Sequence, residues 1–283
     1  MAGPAAFERY AHDGYVVLPG FKSAAEVEAL RERALQIVDT FEPGVRPSIF
    51  TTRDQARIAD AEFLASADGI HCFFEEEAFD AQGRLRQPKA LSINKIGHAM
   101  HDLDPIFERF SHGPELAGVA AALGLQRPQL WQSMFIFKQP GIGGEVKWHQ
   151  DATFLDTTPC TVTGFWFALE DATRDNGCLW VLPGGHRGPL RERFVRQAGP
   201  EGDSVRMQVL DSTPWPAVEQ AVPVEVAAGT LVCFHGLLPH WSAPNRSSKS
   251  RHAYTLHAVD ASSLWAPSNW MRRRADLPLR GFA

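Results

Sequence analysis

The sequence is short of cysteine. It has four in 283 residues, Cys72, Cys160, Cys178 and Cys233, and no C-x-x-C pair. That argues against a cysteine-built zinc site, and the four read as reduced, packed thiols. Long apolar runs are also lacking: no stretch reaches the roughly 18 residues that a membrane-spanning helix needs. Glu8, Arg9, His12 and Asp13 stand where a secretory leader would be apolar, and Gly281-Phe282-Ala283 is not a peroxisomal address. The expectation is a cytoplasmic protein with no membrane contact. A large excess of either charge is lacking too, with 28 Lys and Arg against 33 Asp and Glu. The formal net charge of −5 argues against nucleic acid as a partner, and the single basic run, Arg272-Arg273-Arg274, reads as a solvated tail. There are no internal repeats and no low-complexity tracts.

What is present is a long succession of strands. From residue 129 the segments Leu130 to Lys138, Val146 to Asp151, Thr161 to Leu169, Gly177 to Leu182, Val222 to Glu225, Leu231 to Phe234 and His252 to Val259 read as strands. Gly, Pro, Asn and Asp punctuate them. With no helical pattern between them they predict a mainly β fold, a double-stranded β-helix or cupin-like jelly roll. The N-terminal part is different. Ser23-Ala24-Ala25-Glu26 is a capping box that opens an amphipathic helix over 24–39. Further helices are predicted at Asp54 to Ala65, Asp104 to Ser111 and Pro114 to Leu123, and strands at Tyr15 to Leu18, Ile70 to Phe74 and Leu91 to Lys95. Residues 187–221, with Pro200, Pro214 and Pro216, read as a long connection. One domain is expected over 1–283, with helical and lid elements in 1–128, the jelly-roll core in 129–260 and a C-terminal tail in 261–283.

The chemistry gathers around His149-Gln150-Asp151. In extended chain, residues i and i+2 project to one side. An imidazole and a carboxylate so placed are two of the three ligands of the 2-His-1-carboxylate triad of non-heme Fe(II) oxygenases. A lone H-x-D pair is common by chance, so the third ligand carries the weight. A β-rich run from Leu231 delivers His235 and then His240, and either is near enough to a strand end to serve. Arg251 stands eleven residues after His240, and the alternation of Arg251, Ala253, Thr255 and His257 turns all four to one face. An inward guanidinium needs an anionic partner, which a dicarboxylate cosubstrate would supply.

A longer series of segments resembles the phytanoyl-CoA dioxygenase family of Fe(II)/2-oxoglutarate oxygenases through almost the whole chain. It runs through Asn94-Lys95-Ile96-Gly97-His98, Gln132-Ser133-Met134, Phe137-Lys138-Gln139-Pro140, His149-Gln150-Asp151, Asn176-Gly177-Cys178-Leu179-Trp180 and Arg251-His252-Ala253-Tyr254, and ends in Trp265-Ala266-Pro267-Ser268-Asn269-Trp270. The resemblance implies that His149, Asp151 and His240 hold Fe(II), with His240 chosen over His235. It implies that Lys95, Met134, Gln150, Trp166, Ser250 and Arg251 surround 2-oxoglutarate. It further implies a reaction with O2 that oxidises a C–H bond of a small or medium organic substrate and releases succinate and CO2. Asp151 is where a halogenase would carry Ala or Gly. His257 reads as a satisfied core histidine, His186 as a turn residue, His98, His101 and His112 as peripheral, and Trp148 as facing away from the metal. Two other classes are weighed against this: a metal-binding jelly roll that acts as a sensor or binder, and a zinc or manganese isomerase or hydrolase. Neither has a use for Arg251.

Overall fold

The structure, a computed structural model, describes residues 4–44, 47–50, 61–200 and 202–282. Fifteen strands can be followed in chain order: β1 Tyr15–Leu18, β2 Ile70–Phe74, β3 Ile93–His98, β4 Pro128–Ile136, β5 Val146–His149, β6 Thr157–Thr158, β7 Thr163–Ala168, β8 Leu179–Val181, β9 Glu192–Gln197, β10 Ser204–Val209, β11 Val222–Val224, β12 Leu231–His235, β13 His240–Ser242, β14 Ala253–Asp260 and β15 Leu264–Trp265. Seven of them pair in the order β1-β12-β7-β14-β4-β3-β2, and four in the order β11-β8-β13-β5. All the pairings within these two sheets are antiparallel. They make the two layers of a jelly roll.

The period of two along the large sheet explains the layering. Phe165 and Phe167 of β7, Leu231 and Cys233 of β12, and Tyr254 and Leu256 of β14 pack in one cluster with Leu30, Val38, Phe107 and Leu116 of the helices. The residues between them, Trp166, Ala168, Val232, Phe234 and Ala253, face the small sheet and meet Leu179, Val181 and Val224. Both faces are therefore covered, one by helices and one by a second sheet. The helix Ala24–Thr40 starts at the Ser23–Glu26 capping box and buries Val27, Leu30, Ala34 and Val38.

Several expectations need correction. Strands β1, β2 and β3 belong to the large sheet, so residues 1–128 are more than accessory helices. The supposed connection at 187–221 contains the β9–β10 hairpin, in register from Glu192↔Val209 to Gln197↔Ser204. Its sequence hides this because Phe194 and Val195 are both buried and break the alternation. The segment after residue 260 is not a loose tail: Trp270, Met271 and Phe282 are buried, and Trp265 stacks on Trp131 with ring centroids 3.5 Å apart. Nor is the basic run solvated as a whole, since Arg273 is buried against Asp102. Of the helix expected at 54–65, Ala61–Ala65 is seen, and 54–60 lies outside the described residues. Among the described residues no helix is long and apolar enough to cross a membrane.

Candidate metal centre

β5 and β13 are neighbours, and their register sets His149 opposite His240. Their rings lie 4.1 Å apart between centroids. After His149 the chain leaves the strand through an extended Gln150 and enters a short 3-10 turn at Asp151. The Asp151 Oδ1 atom ends 3.7 Å from His149 Nε2 and 3.6 Å from His240 Nε2. One ligand atom from each of the three residues falls within 4.8 Å of the others, the spacing of donors around one small ion.

The hydrogen bonds fix the donor set. His149 Nδ1 lies 2.8 Å from the Lys147 carbonyl and His240 Nδ1 2.9 Å from that of Leu238. A carbonyl only accepts, so both Nδ1 atoms carry the proton and both Nε2 lone pairs are free for a metal. Burial, reinforced by His240, pushes His149 down to about 4, so it is neutral near pH 7. Asp151 is buried, which alone would raise its pKa, but His257, His240 and His149 outweigh this and hold it well below the usual carboxylate range. Two imidazoles that turn Nε2 inward and a carboxylate, with His235 elsewhere, suit a divalent first-row metal.

His257, read from the sequence as an ordinary core histidine, donates from Nε2 to Asp151 Oδ2 at 2.9 Å. It turns the carboxylate so that Oδ1 faces the two imidazoles. Its inward position on β14 was visible in the alternation, but its partner was not. Gly164 was also missed. It sits across from Phe234 on one side and His257 on the other, and a Cβ there would lie 2.7 Å from the Phe234 ring and 2.9 Å from Asp151 Oδ2.

The triad opens into a cavity of about 580 Å³. Arg251 lines it, buried, just before β14. Its Nε donates to the Gly177 carbonyl at 3.1 Å, while Nη1 has no partner among the described residues. Burial pushes the guanidinium down to about 10, and its centre lies 5.5 Å from the Trp166 ring. An unpaired buried guanidinium beside the donor set is the feature a dicarboxylate would complete. Trp166, Met134 and Lys95 line the same cavity. The Lys95 ammonium position is 3.8 Å from the Phe50 ring centroid and 3.9 Å from Met134 Sδ, and burial lowers its pKa to about 7.

Two expected contacts are placed elsewhere. The Ser250 hydroxyl donates to both Glu170 oxygens, at 3.0 and 2.8 Å. The Gln150 amide donates to the Pro189 and Leu237 carbonyls and accepts from Arg191 N–H. Each side chain braces the loop it belongs to, and neither lines the cavity. In the other direction, Trp148 and His98 do line it. His98 and His101 are fully buried rather than peripheral. Lys138, with φ +40°, lines the cavity too, its amine donating to the Gly144 carbonyl at 2.8 Å.

The family Phytanoyl-CoA dioxygenase (PhyH) matches residues 10–253. The chain belongs to the phytanoyl-CoA dioxygenase family. It is thereby a 2-oxoglutarate-dependent dioxygenase, an oxidoreductase of the class that works with Fe(II) and O2. Among curated relatives it is 47% identical over 263 residues to "Phytanoyl-CoA dioxygenase" of Arabidopsis thaliana, covering 92% of this chain and 90% of that one. It is 43% identical over 282 residues to "Phytanoyl-CoA dioxygenase domain-containing protein 1" of Bos taurus, with 97% and 96% covered. In fold it is similar to the non-heme alpha-ketoglutarate-dependent carbocyclase SnoK from nogalamycin biosynthesis, with TM-score 0.66, 19% identity, and 98% and 96% of the two chains covered.

Replacing Gly164 with Ala should weaken Mn(II) affinity by about 10- to 100-fold, the usual range when a ligand's support is disturbed. Calorimetric titration would read this alongside an unchanged far-UV spectrum. Lys95→Met should change how stability varies with pH. The unfolded chain keeps this amine near its ordinary value while the folded chain holds it at about 7. Between those values the unfolded state binds one proton more, so the wild type gains up to about 1.4 kcal/mol of stability per pH unit as pH rises. The variant should be the more stable at pH 7.5 and lose that advantage towards pH 10. Urea denaturation curves that stay a constant distance apart across this range would refute it.

Proposed function

We propose that this protein hydroxylates a small or medium organic substrate, releasing succinate and CO2, with His149, Asp151 and His240 as the Fe(II) ligands and Arg251 as the anchor of 2-oxoglutarate. The observation that carries the reading is the unpaired Nη1 of Arg251, buried in the cavity onto which the triad opens. A sensor or a metal isomerase would have no reason to retain an uncompensated buried cation.

Bound Fe(II), with 2-oxoglutarate and O2, supplies an oxidant able to break a C–H bond. The chain's own part is positioning. His149 and His240 present Nε2 lone pairs, fixed by the Lys147 and Leu238 carbonyls, and Asp151 presents Oδ1, fixed by His257. Arg251 would pair with a carboxylate of the bound cosubstrate, and Lys95 would add a second positive charge once that anion is there to stabilise it. Trp166, Phe234 and Met134 keep water from the centre. No side chain is needed as a general base. The four cysteines are unpaired, which supports a reducing compartment, and we assign the cytoplasm.

Asp151→Ala should abolish succinate formation from 2-oxoglutarate and air while the circular-dichroism spectrum stays that of the wild type. Turnover at wild-type rate would remove Asp151 from the ligand set. Arg251→Ala should raise the 2-oxoglutarate concentration for half-maximal succinate formation at least about tenfold, a loss of about 1.4 kcal/mol. An unchanged requirement would place the anchor on another cation of the cavity.

A further inference from the structure

The buried cations of the cavity and its hairpin carboxylate come from different elements, while Glu145 and Lys147 line it together at β5. Lys95, Lys138 and Arg251 come from β3, the end of β4 and the start of β14, all in or beside the large sheet. Glu192 comes from the β9–β10 hairpin, which pairs with neither large nor small sheet. It lines the cavity with Phe154, Met207 and Trp215.

Among the described residues Glu192 is a carboxylate with no counter-ion, and its side chain has no hydrogen bond and no ion pair. The two flanking arginines are engaged elsewhere: Arg191 donates to the Thr213 and Pro214 carbonyls and lies 4.6 Å over the Trp215 ring, and Arg193 is paired with Asp156 at 2.9 Å. Successive strand residues point to opposite sides, so the arginines leave Glu192 alone among apolar side chains. Burial raises its pKa, which records the cost of that position. Such a carboxylate is stabilised when a cation or strong donor enters beside it, and aromatic faces attract the same charge.

His98 is a second acceptor in this cavity. The single hydroxyl proton of Ser66 goes to the Phe63 carbonyl at 2.6 Å. The contact of 2.8 Å between Ser66 Oγ and His98 Nδ1 must therefore be donated by the imidazole. That leaves His98 Nε2 as a lone-pair acceptor, buried and unpartnered, beside Phe63 and Trp270 at 5.7 and 5.2 Å between ring centroids. The unpartnered Trp270 indole N–H leaves room for one acceptor on the same ligand.

We propose that the substrate is a protonated amine carried on an aromatic or otherwise apolar body, and that Glu192 is the residue that selects its charge. This rests on the oxygenase reading above, because it assigns the cationic wall to the cosubstrate and the acidic wall to the substrate. A CoA thioester offers no cation to Glu192 and is disfavoured.

The test uses the full-length protein loaded with Mn(II) and 2-oxoglutarate, which binds without turnover. Calorimetry compares matched probes: tryptamine with indole-3-propionate, phenethylamine with hydrocinnamate, octylamine with nonanoate, and decanoyl-CoA beside them. The wild type should bind at least one amine tenfold or more tightly than its carboxylate partner. The isosteric Glu192→Gln should erase that preference, and Glu192→Lys should reverse it. Binding of no amine, equal binding of a pair's members, tighter binding of decanoyl-CoA, or a preference that survives in Glu192→Gln would each overturn the proposal. Failure of the oxygenase reading would show separately, as absent 2-oxoglutarate binding before any probe is added.

Discussion

The Asp151 carboxylate is the constraint around which this jelly roll is arranged. It is buried and ionised, so it needs a donor and neighbours that tolerate its charge. His257 satisfies Oδ2, and His149 and His240 crowd Oδ1. That arrangement fixes a good deal of the fold. β5 and β13 must be adjacent for the two imidazoles to meet, and β14 must run through the centre of the large sheet for His257 to reach across. At the point of closest approach β7 must offer a residue without a side chain, which is Gly164. A slip of one residue in either register would turn His257 or Gly164 to the helical side and leave the carboxylate unsupported.

Much of this was legible in the sequence because it depends on local period. The spacing of His149 and Asp151, the alternation from Arg251 to His257, and the strand series after residue 129 are properties of extended chain. The Ser23–Glu26 cap is likewise local. What was not legible depends on pairs distant in the chain. His257 looked like any inward histidine until Asp151, 106 positions away, was seen against it. Gly164 has a reason only in the presence of Phe234 and Asp151. For Ser250 and Gln150 the resemblance implied contacts with the cosubstrate, but Glu170 and two backbone carbonyls take these side chains instead. The β9–β10 hairpin was hidden by its own amphipathic irregularity.

The electrostatics of the cavity follow from its construction. Cations held by the large sheet are expensive to bury, as the lowered values of Lys95 and Arg251 record. They are tolerable where a dianion completes them. The hairpin wall is exempt from that logic and carries an acid instead. With the cationic substrate proposed for Glu192, such a division would keep the two ligands apart, since each wall would repel the other's ligand.

The segment after β14 has a temporal consequence. Trp270 lines the cavity, and Phe282 reaches back to the large sheet, 4.9 Å from Phe165 between ring centroids. Both lie beyond His149, Asp151, His240 and Arg251 in the chain. During synthesis these four residues therefore leave the ribosome before the wall that Trp270 supplies. The nascent chain thus displays His149, Asp151 and His240 before it completes the cavity around them, and the last stretch of chain to emerge is the one that finishes the wall.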